Sequence, residues 1–274
     1  MQVSFWSNSH QLGTTLNMTA IAVLAALENR LRIIVTHNHF DRSTLEAAFI
    51  EKRYIRHELT DLSDTGIDAL SRFIRFNKVE KDEIAGFSTT ILKNRLDLLF
   101  GTQNTNRELY VSNLNNAIRL ILQSASKYYD LVLVDTAPGR NEISMKILEQ
   151  SDLIVVNLSQ NVHVLDNFLE DNFDFRDKMM VLLGKYDSNS RYNLRAIRKK
   201  LGQMDVHAIP YDVGFADACA DSRVVDFFMK NLAADNEDIH YPFVRGVRET
   251  VEAILKRLEI DTALKKVQVG NGYE

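Results

Sequence analysis

The chain has 274 residues, of which 45% are hydrophobic and 26% charged, a composition that is ordinary for a globular protein. Its 33 basic and 37 acidic side chains give a formal net charge of −4, which argues against a dedicated nucleic-acid-binding protein. The single cysteine, Cys219, excludes an intrachain disulfide. Because the chain also shows no signal peptide and no membrane-spanning apolar run, we expect a cytoplasmic protein.

Short apolar runs predict seven β-strands, several of them continuous rather than alternating, as in strands covered on both faces. They are Val3–Trp6, Leu31–Thr36, Asp97–Phe100, Leu131–Val134, Leu153–Leu158, Met179–Leu183 and Val206–Ile209. Helical spacing of apolar residues predicts helices from Met18 onward and over Leu114–Ser126, Arg140–Gln150, Leu194–Leu201 and Val244–Leu258. This alternation predicts a doubly wound α/β fold with a mostly parallel sheet flanked by helices. We expect one domain over residues 1–274, with a helical insertion around 51–86 and a short tail at 260–274.

The segment SNSHQLGTTLN, Ser7–Asn17, joins the first predicted strand to a helix, which is the setting of a phosphate-binding loop. In the pattern G-x-x-x-x-G-K-[ST], backbone N–H groups cradle phosphate oxygens, the lysine neutralises phosphate charge and the hydroxyl holds Mg²⁺. Here Asn8 replaces the first glycine and Gly13 keeps the second. Thr14 stands at the lysine position and Thr15 at the hydroxyl position.

The run YYDLVLVDTAPG predicts the second half of such a site. Its strand ends in Asp135, which is suited to holding Mg²⁺ through water, and Pro138 and Gly139 form a turn of the kind that senses a γ-phosphate. Gly13 and Thr15 alone also fit an ordinary strand-to-helix turn without a ligand. Combined with Asp135 and Gly139, they favour a phosphate site or the relic of one.

The order of these motifs resembles the MinD/ParA family of P-loop ATPases, and especially its TadZ/CpaE branch, which helps to position tight-adherence (Flp) pilus machinery. In that branch threonine often replaces the loop lysine, and LGTT, Leu12–Thr15, fits that form. DLVLVDTAPG fits the Walker B and switch II segment, SDLIVVNLSQN fits the following strand, and IPYDVGFADA fits the late strand near the base. The resemblance spans roughly residues 2–258.

The resemblance implies ATP and Mg²⁺ as cofactors, with the metal at Thr15 and Asp135. It implies a face-to-face homodimer and partners in pilus or secretion machinery, and it leaves room for peripheral contact with the inner membrane face. From the acidic net charge, and not from the resemblance, we expect no nucleic-acid partner. The implied cofactor-binding residues are Ser9, His10, Gln11, Leu12, Gly13, Thr14, Thr15, Asp135, Gly139 and Pro210.

Several positions depart from the family pattern. Ser9 stands where a signature lysine reaches across the dimer, and His10 and Gln11 replace glycines. His37 and His39 follow the second strand where the family usually has acids that help to activate water or bind Mg²⁺. Losing one charged donor typically raises a catalytic barrier by a few kcal/mol, so we expect absent or very slow hydrolysis.

Other residues leave alternatives open. Arg140 or Arg42 could partly replace the missing charge, and Gly184 stands where an asparagine often meets adenine. His37 and His39 could hold Zn²⁺, although we favour ordinary polar residues at the end of a strand. Ser43 and Glu46 are typical of a helix capping box.

We therefore expect a degenerate MinD/ParA-like ATPase that acts as a localisation or assembly factor. The alternatives are an active ParA-like ATPase in DNA or plasmid partitioning and a scaffold that binds no nucleotide.

Overall fold

The computed structural model describes residues 1–40, 43–55, 64–77 and 83–261. Arg42, parts of the predicted insertion (56–63 and 78–82) and most of the predicted tail (262–274) lie outside the described residues. The described part of the predicted insertion contains two α-helices, Gly66–Ile74 and Glu83–Gly86, and a short 3-10 helix, Lys52–Tyr54.

The centre of the fold is one eight-stranded sheet with the strand order β3-β4-β2-β5-β1-β6-β7-β8. All neighbouring strands are parallel except β3 and β4, which are antiparallel at one edge. The mostly parallel α/β sheet predicted from the sequence is therefore confirmed. The strands are β1 Gln2–Trp6, β2 Ile33–His37, β3 Thr89–Leu92, β4 Leu96–Leu98, β5 Leu131–Asp135, β6 Leu153–Leu158, β7 Met179–Tyr186 and β8 Val206–Pro210.

Helices cover both faces of the sheet. Within the described ranges they are α1 Thr14–Glu28, α2 Leu45–Phe49, α3 Gly66–Ile74, α4 Glu83–Gly86, α5 Arg107–Tyr128, α6 Glu142–Gln150, α7 Val162–Glu170, α8 Leu194–Leu201, α9 Val213–Ala220, α10 Val224–Asn231 and α11 Tyr241–Arg257.

Strand β5 shows why continuous apolar runs form the middle of this sheet, because all five of its residues are buried. Leu131 and Leu133 pack in the core shared with α1, α10 and α11. Val132 and Val134 point the other way, into the core shared with α3, α5 and α6. Successive side chains of a strand face opposite sides, so a strand between two helical layers is apolar along its length, and in β5 only the last residue, Asp135, is polar.

Some elements differ from the sequence prediction. Strand β3 was not predicted, since its four residues lie at the sheet edge and are only partly buried. The predicted capping box of Ser43 and Glu46 is wrong, because the N-cap of α2 is Thr44, whose side chain makes no capping hydrogen bond. Ser43 Oγ accepts from the Leu45 N–H, whereas Glu46 bonds to His37 and Gly101. A long-range partner thus replaced the local one.

The parallel strands β1, β2, β5 and β7 end at the same edge of the sheet. Ligands of open α/β sheets bind in the crevice outside the carboxyl ends of the strands. Among the residues that the structure describes, no helix is long and apolar enough to cross a membrane.

Candidate functional site

The loop after β1 turns sharply into α1 through two left-handed residues. Gly13, the N-cap of α1, has φ 82°, and Gln11 has φ 63°. A residue with a Cβ pays roughly 1–2 kcal/mol in this conformation. The backbone at Gln11 therefore has a conformation that glycine adopts more readily.

A cavity of about 320 Å³, referred to below as the loop cavity, opens over this turn. It is lined by Ser7, His10, Gln11, Leu12, Gly13, Thr14, Thr15, Leu16, His39, Thr44, Thr136, Pro138 and Lys185. Six residues predicted as cofactor-binding, His10 to Thr15, are therefore brought together at one opening. Its size is at the lower end of ordinary small-molecule sites.

Asp135 lies beneath the loop cavity, at the end of β5. Its carboxylate is fully buried, and Thr15 Oγ1 donates a 2.6 Å hydrogen bond to its Oδ2. His39 Nε2 lies 3.2 Å from the same oxygen, whereas Oδ1 has no hydrogen-bond partner among the described residues. A buried carboxylate oxygen without a partner costs about 1–3 kcal/mol, a cost that a bound cation would offset. Thr15 and Asp135 are therefore in contact, as the sequence motifs predict.

The turn after β5 is tied to the loop after β1. The Gly139 N–H donates to the Ser7 carbonyl (3.0 Å), and Trp6 Nε1 donates to the Gly139 carbonyl (2.9 Å). Gly139 has φ 75°, and a Cβ there would meet nothing within 4 Å. The residue predicted to sense a γ-phosphate is thus fastened to the loop by its own backbone.

Asn38, just beyond β2, contributes to this site although it was not among the predicted site residues. Its Oδ1 accepts from the Ala137 N–H (2.6 Å), and its Nδ2 donates to Ser144 Oγ (3.2 Å). The Tyr110 hydroxyl donates to the Asn38 carbonyl. The end of β2 therefore positions the turn that carries Pro138.

His37 and Glu46 form a buried pair behind the site. His37 Nε2 lies 2.7 Å from Glu46 Oε1, the same oxygen that accepts the Gly101 N–H (3.0 Å). Burial raises the pKa of Glu46, but the His37 charge and hydrogen bond outweigh it and bring the pKa down to about 2. Burial lowers the pKa of His37, but Glu46, with a smaller contribution from Asp135, outweighs it and leaves the pKa raised.

The zinc alternative finds no ligand set. His37 bonds to Glu46 and His39 faces Asp135, with the two imidazole rings 5.5 Å apart. Across the ranges that the structure describes, no group of three or more His, Cys, Asp and Glu side chains is placed to hold a metal ion.

Three further residues from the sequence predictions lie away from the loop cavity. The Ser9 carbonyl accepts from Ser7 Oγ (2.8 Å), but Ser9 is not part of the lining. Pro210 lines a separate groove beside β8 and α11. Arg140 stacks over the Phe173 ring and donates to the Asn172 carbonyl, so it does not supply the missing charge.

The neighbours of Gly184 leave no room for a side chain at this position. Asn17 in α1 donates from Nδ2 to Asn157 Oδ1 in β6 (2.8 Å). A Cβ on Gly184 would fall 2.6 Å from Asn17 Nδ2 and 3.0 Å from the Leu12 carbonyl oxygen. Strand β7 can approach the loop this closely only because residue 184 has no side chain.

Comparisons with known proteins identify the fold. A ParA family ATPase from Chlorobium tepidum TLS superposes on this chain with a TM-score of 0.69 at 14% sequence identity. The match covers 92% of this chain and 98% of the ATPase chain. The septum site-determining protein MinD complexed with Mg-ADP, from Pyrococcus horikoshii OT3, superposes with a TM-score of 0.64 at 12% identity. The match covers 93% of this chain and 98% of that one. A chain of the MinC:MinD cell division protein complex from Aquifex aeolicus superposes with a TM-score of 0.61 at 15% identity, over 92% of this chain and 96% of its own.

No protein-family model matches the sequence, and no curated protein matches it significantly. At 12–15% identity the structural likenesses establish the fold alone. The chain thus has the α/β fold of the MinD/ParA P-loop ATPases over nearly its whole length. Its candidate site lies at the carboxyl edge of the sheet, between β1 and β5.

Proposed function

We propose that this protein binds a Mg²⁺–nucleoside triphosphate, most simply ATP, in the loop cavity and hydrolyses it slowly or not at all. The observation that carries this is the contact between Thr15 and Asp135 at the base of the cavity. Thr15 offers a hydroxyl oxygen and Asp135 a buried carboxylate whose Oδ1 has no partner among the described residues. Hydroxyl, carboxylate and water oxygens are the ligands that Mg²⁺ prefers, so these residues fit the metal.

The backbone after β1 supports phosphate binding. Gly13 and Gln11 hold left-handed conformations, and α1 begins at Thr14 directly over the cavity. Free N–H groups and the positive end of the helix dipole favour an anion there. Bound Mg²⁺ would neutralise phosphate charge, and Thr15 and Asp135 would hold it.

Slow hydrolysis follows from the groups that surround this cavity. Thr14 occupies the position of the loop lysine, and its hydroxyl lies 3.3 Å from Ser7 Oγ. At the end of β2, His37 is hydrogen-bonded to Glu46, and His39 Nε2 lies 3.2 Å from Asp135 Oδ2. Among the described residues that line the cavity, none is a carboxylate that could activate water.

A nucleotide that is bound but hardly consumed suits a localisation or assembly factor, and we propose that role. The resemblance to the TadZ/CpaE branch makes Tad-type pilus or secretion machinery the proposed partner, with a homodimer formed across the loop. The MinC:MinD complex is an example of this fold working through a protein partner. In cells, displacement of the pilus machinery by Asp135→Asn would support the role, and unchanged placement would count against it.

The deciding experiment is a titration of Mg²⁺–ATP against the melting temperature, with phosphate release measured in parallel. Ligand at 100 times its Kd adds about 2.7 kcal/mol of stability, a readily measured shift. We expect this shift with little phosphate release. Rapid release would instead indicate an active ATPase of the partitioning type, and no shift at any concentration would indicate a scaffold without nucleotide.

Asp135→Asn tests the metal site directly. The amide keeps an oxygen for Thr15 but removes the charge, so we expect nucleotide binding to lose its Mg²⁺ dependence. Asp174→Asn is the matched control, because Asp174 is exposed and precedes β7, at the opposite edge of the sheet. Equal Mg²⁺ dependence in both variants would refute the assignment of Asp135.

A further inference from the structure

Among the described residues that line the loop cavity there is one lysine, and it does not belong to the loop after β1. Lys185 comes from the end of β7, two strands away from β1 in the sheet. The other lining side chains that can carry positive charge are His10 and His39, and the described lining contains no carboxylate. A polyphosphate in this cavity would therefore meet Lys185 as its one permanent positive side-chain charge among the described lining residues.

An irregularity in β7 turns Lys185 toward the cavity. Leu183 pairs with Ala208 and Tyr186 pairs with Pro210, so three steps on β7 match two on β8. One extra residue on one strand is a β-bulge, a feature that re-aims side chains and occurs often beside active sites. Lys185 itself has φ 51°, a left-handed conformation that a residue with a Cβ rarely adopts.

The contacts of Gly184 place this bulge directly against the loop. A Cβ on Gly184 would lie 3.0 Å from the Leu12 carbonyl oxygen, so the backbone before Lys185 touches the residue before Gly13. Backbone strain of about 1–3 kcal/mol persists only where the surroundings enforce it, and it clusters at functional sites. The strain and the close approach occur together at the lysine among the described lining residues.

The Lys185 side chain is also available. It is exposed, and none of the described residues forms an ion pair or a hydrogen bond with its ammonium. Arg140, in the turn after β5, is by contrast engaged, because it lies over the Phe173 ring.

We propose that Lys185 supplies, from β7, the positive charge to the phosphate chain that the loop lacks at Thr14. This inference rests on the proposed function, since it assigns a contact within the same site. A lysine is a compact charge on a flexible four-carbon stem, which suits a point contact to a phosphate oxygen from outside the loop. Charge-assisted hydrogen bonds of this kind are about twice as strong as neutral ones.

The test compares Lys185→Asn with wild type in calorimetric titrations against Mg²⁺–ATP and against Mg²⁺–tripolyphosphate, which has no base. Asparagine tolerates a left-handed backbone, so the variant keeps the bulge while losing the charge. We expect the Kd for both ligands to rise by roughly 10- to 100-fold, as for loss of one hydrogen bond to a charged group. Lys185→Arg keeps a charge and should retain most of the affinity.

Lys199→Asn is the matched control, since Lys199 is an exposed lysine of α8 outside the loop cavity and its loss changes the net charge equally. Its Kd values should equal those of wild type. A melting temperature of Lys185→Asn at or above that of wild type excludes unfolding as the cause of weaker binding.

Each other outcome overturns the inference. If wild type binds ATP and Lys185→Asn binds it equally well, the Lys185 contact is wrong and the proposed function stands. If the variant weakens ATP alone, or tripolyphosphate fails to bind wild type, Lys185 contacts the base or ribose rather than the phosphates. If wild type binds neither ligand, both the proposed function and this inference fall.

Discussion

Thr15 and Asp135 are 120 residues apart in the chain, yet the Thr15 hydroxyl donates a 2.6 Å hydrogen bond to the Asp135 carboxylate. Parallel pairing of β1 with β5 brings them together, because Phe5 and Asp135 are partners in the register. The carboxylate is fully buried and its other oxygen has no partner among the described residues. The stability of the ligand-free protein and the proposed binding of a cation therefore involve the same two side chains.

Thr15→Val should destabilise the ligand-free protein by about 1–3 kcal/mol, because it removes the hydrogen bond to a buried charge while preserving shape. Thr15→Ser keeps the hydroxyl and should cost much less. Urea denaturation of the two variants measures the difference. Equal stability of the two variants would mean that the hydrogen bond contributes nothing.

Glu46 should give the protein an acid-sensitive contribution to stability. Its pKa falls from the ordinary 4.5 to about 2 in the folded protein, so the folded state binds this proton less tightly than the unfolded state. The stabilisation is complete above pH 4.5 and is lost as the pH falls toward 2. Glu46→Gln keeps an acceptor for the Gly101 N–H but cannot titrate.

The measurement is the difference in unfolding free energy between wild type and Glu46→Gln as a function of pH. We expect that difference to shrink as the pH falls below 4.5, whereas exposed Glu170→Gln should show no such trend. A difference that stays constant from pH 6 down to the acid transition would contradict the assignment.

Gly101→Ala should be strongly destabilising. A Cβ there would fall 2.0 Å from His37 Cε1, and the ring cannot retreat because it is buried against Glu46. Overpacking a tight site costs about 1–3 kcal/mol and sometimes more. Gly86→Ala is the control, because Gly86 lies in α4 with open space around it. In thermal melts, the melting temperature of Gly101→Ala should lie well below that of Gly86→Ala.

In the loop after β1, the effect of a substitution on stability should depend on the backbone conformation of the residue rather than on its packing. At Gly13 a Cβ would meet only Asn17 Nδ2 at 3.9 Å, so Gly13→Ala should cost roughly 1–2 kcal/mol through φ alone. Gln11→Gly removes the same kind of strain and should raise stability by up to about 1 kcal/mol. Melting temperatures that fall for both variants would show that Gln11 is held by contacts instead.

Cys219 should be chemically quiet in the folded protein. Burial raises the pKa of its thiol from the ordinary 9.0 to about 12, so little thiolate is present near neutral pH. We expect slow alkylation by iodoacetamide at pH 8 and rapid alkylation in urea, measured by mass spectrometry. Equal rates in the two states would show that the thiol is not protected.

Much of the fold could be predicted from the order of residues because its signals are local. Apolar runs such as Leu131–Val134 and helical spacing such as Leu194–Leu201 each specify a buried strand or an amphipathic helix from neighbours alone. Strand β3 escaped prediction because its four residues at the sheet edge are only partly buried and carry a weak apolar signal. The contacts of Glu46 escaped because His37 and Gly101 meet it only in the folded chain.

The same division holds for the candidate site. The sequence by itself determined the glycine of the loop, the hydroxyl at Thr15 and the carboxylate at Asp135, since each belongs to a short motif with a fixed chemistry. Only the tertiary structure decided that Lys185 lines the cavity and that Arg140 does not. Where a side chain points across a sheet depends on register and on a single bulged residue, which no local pattern records.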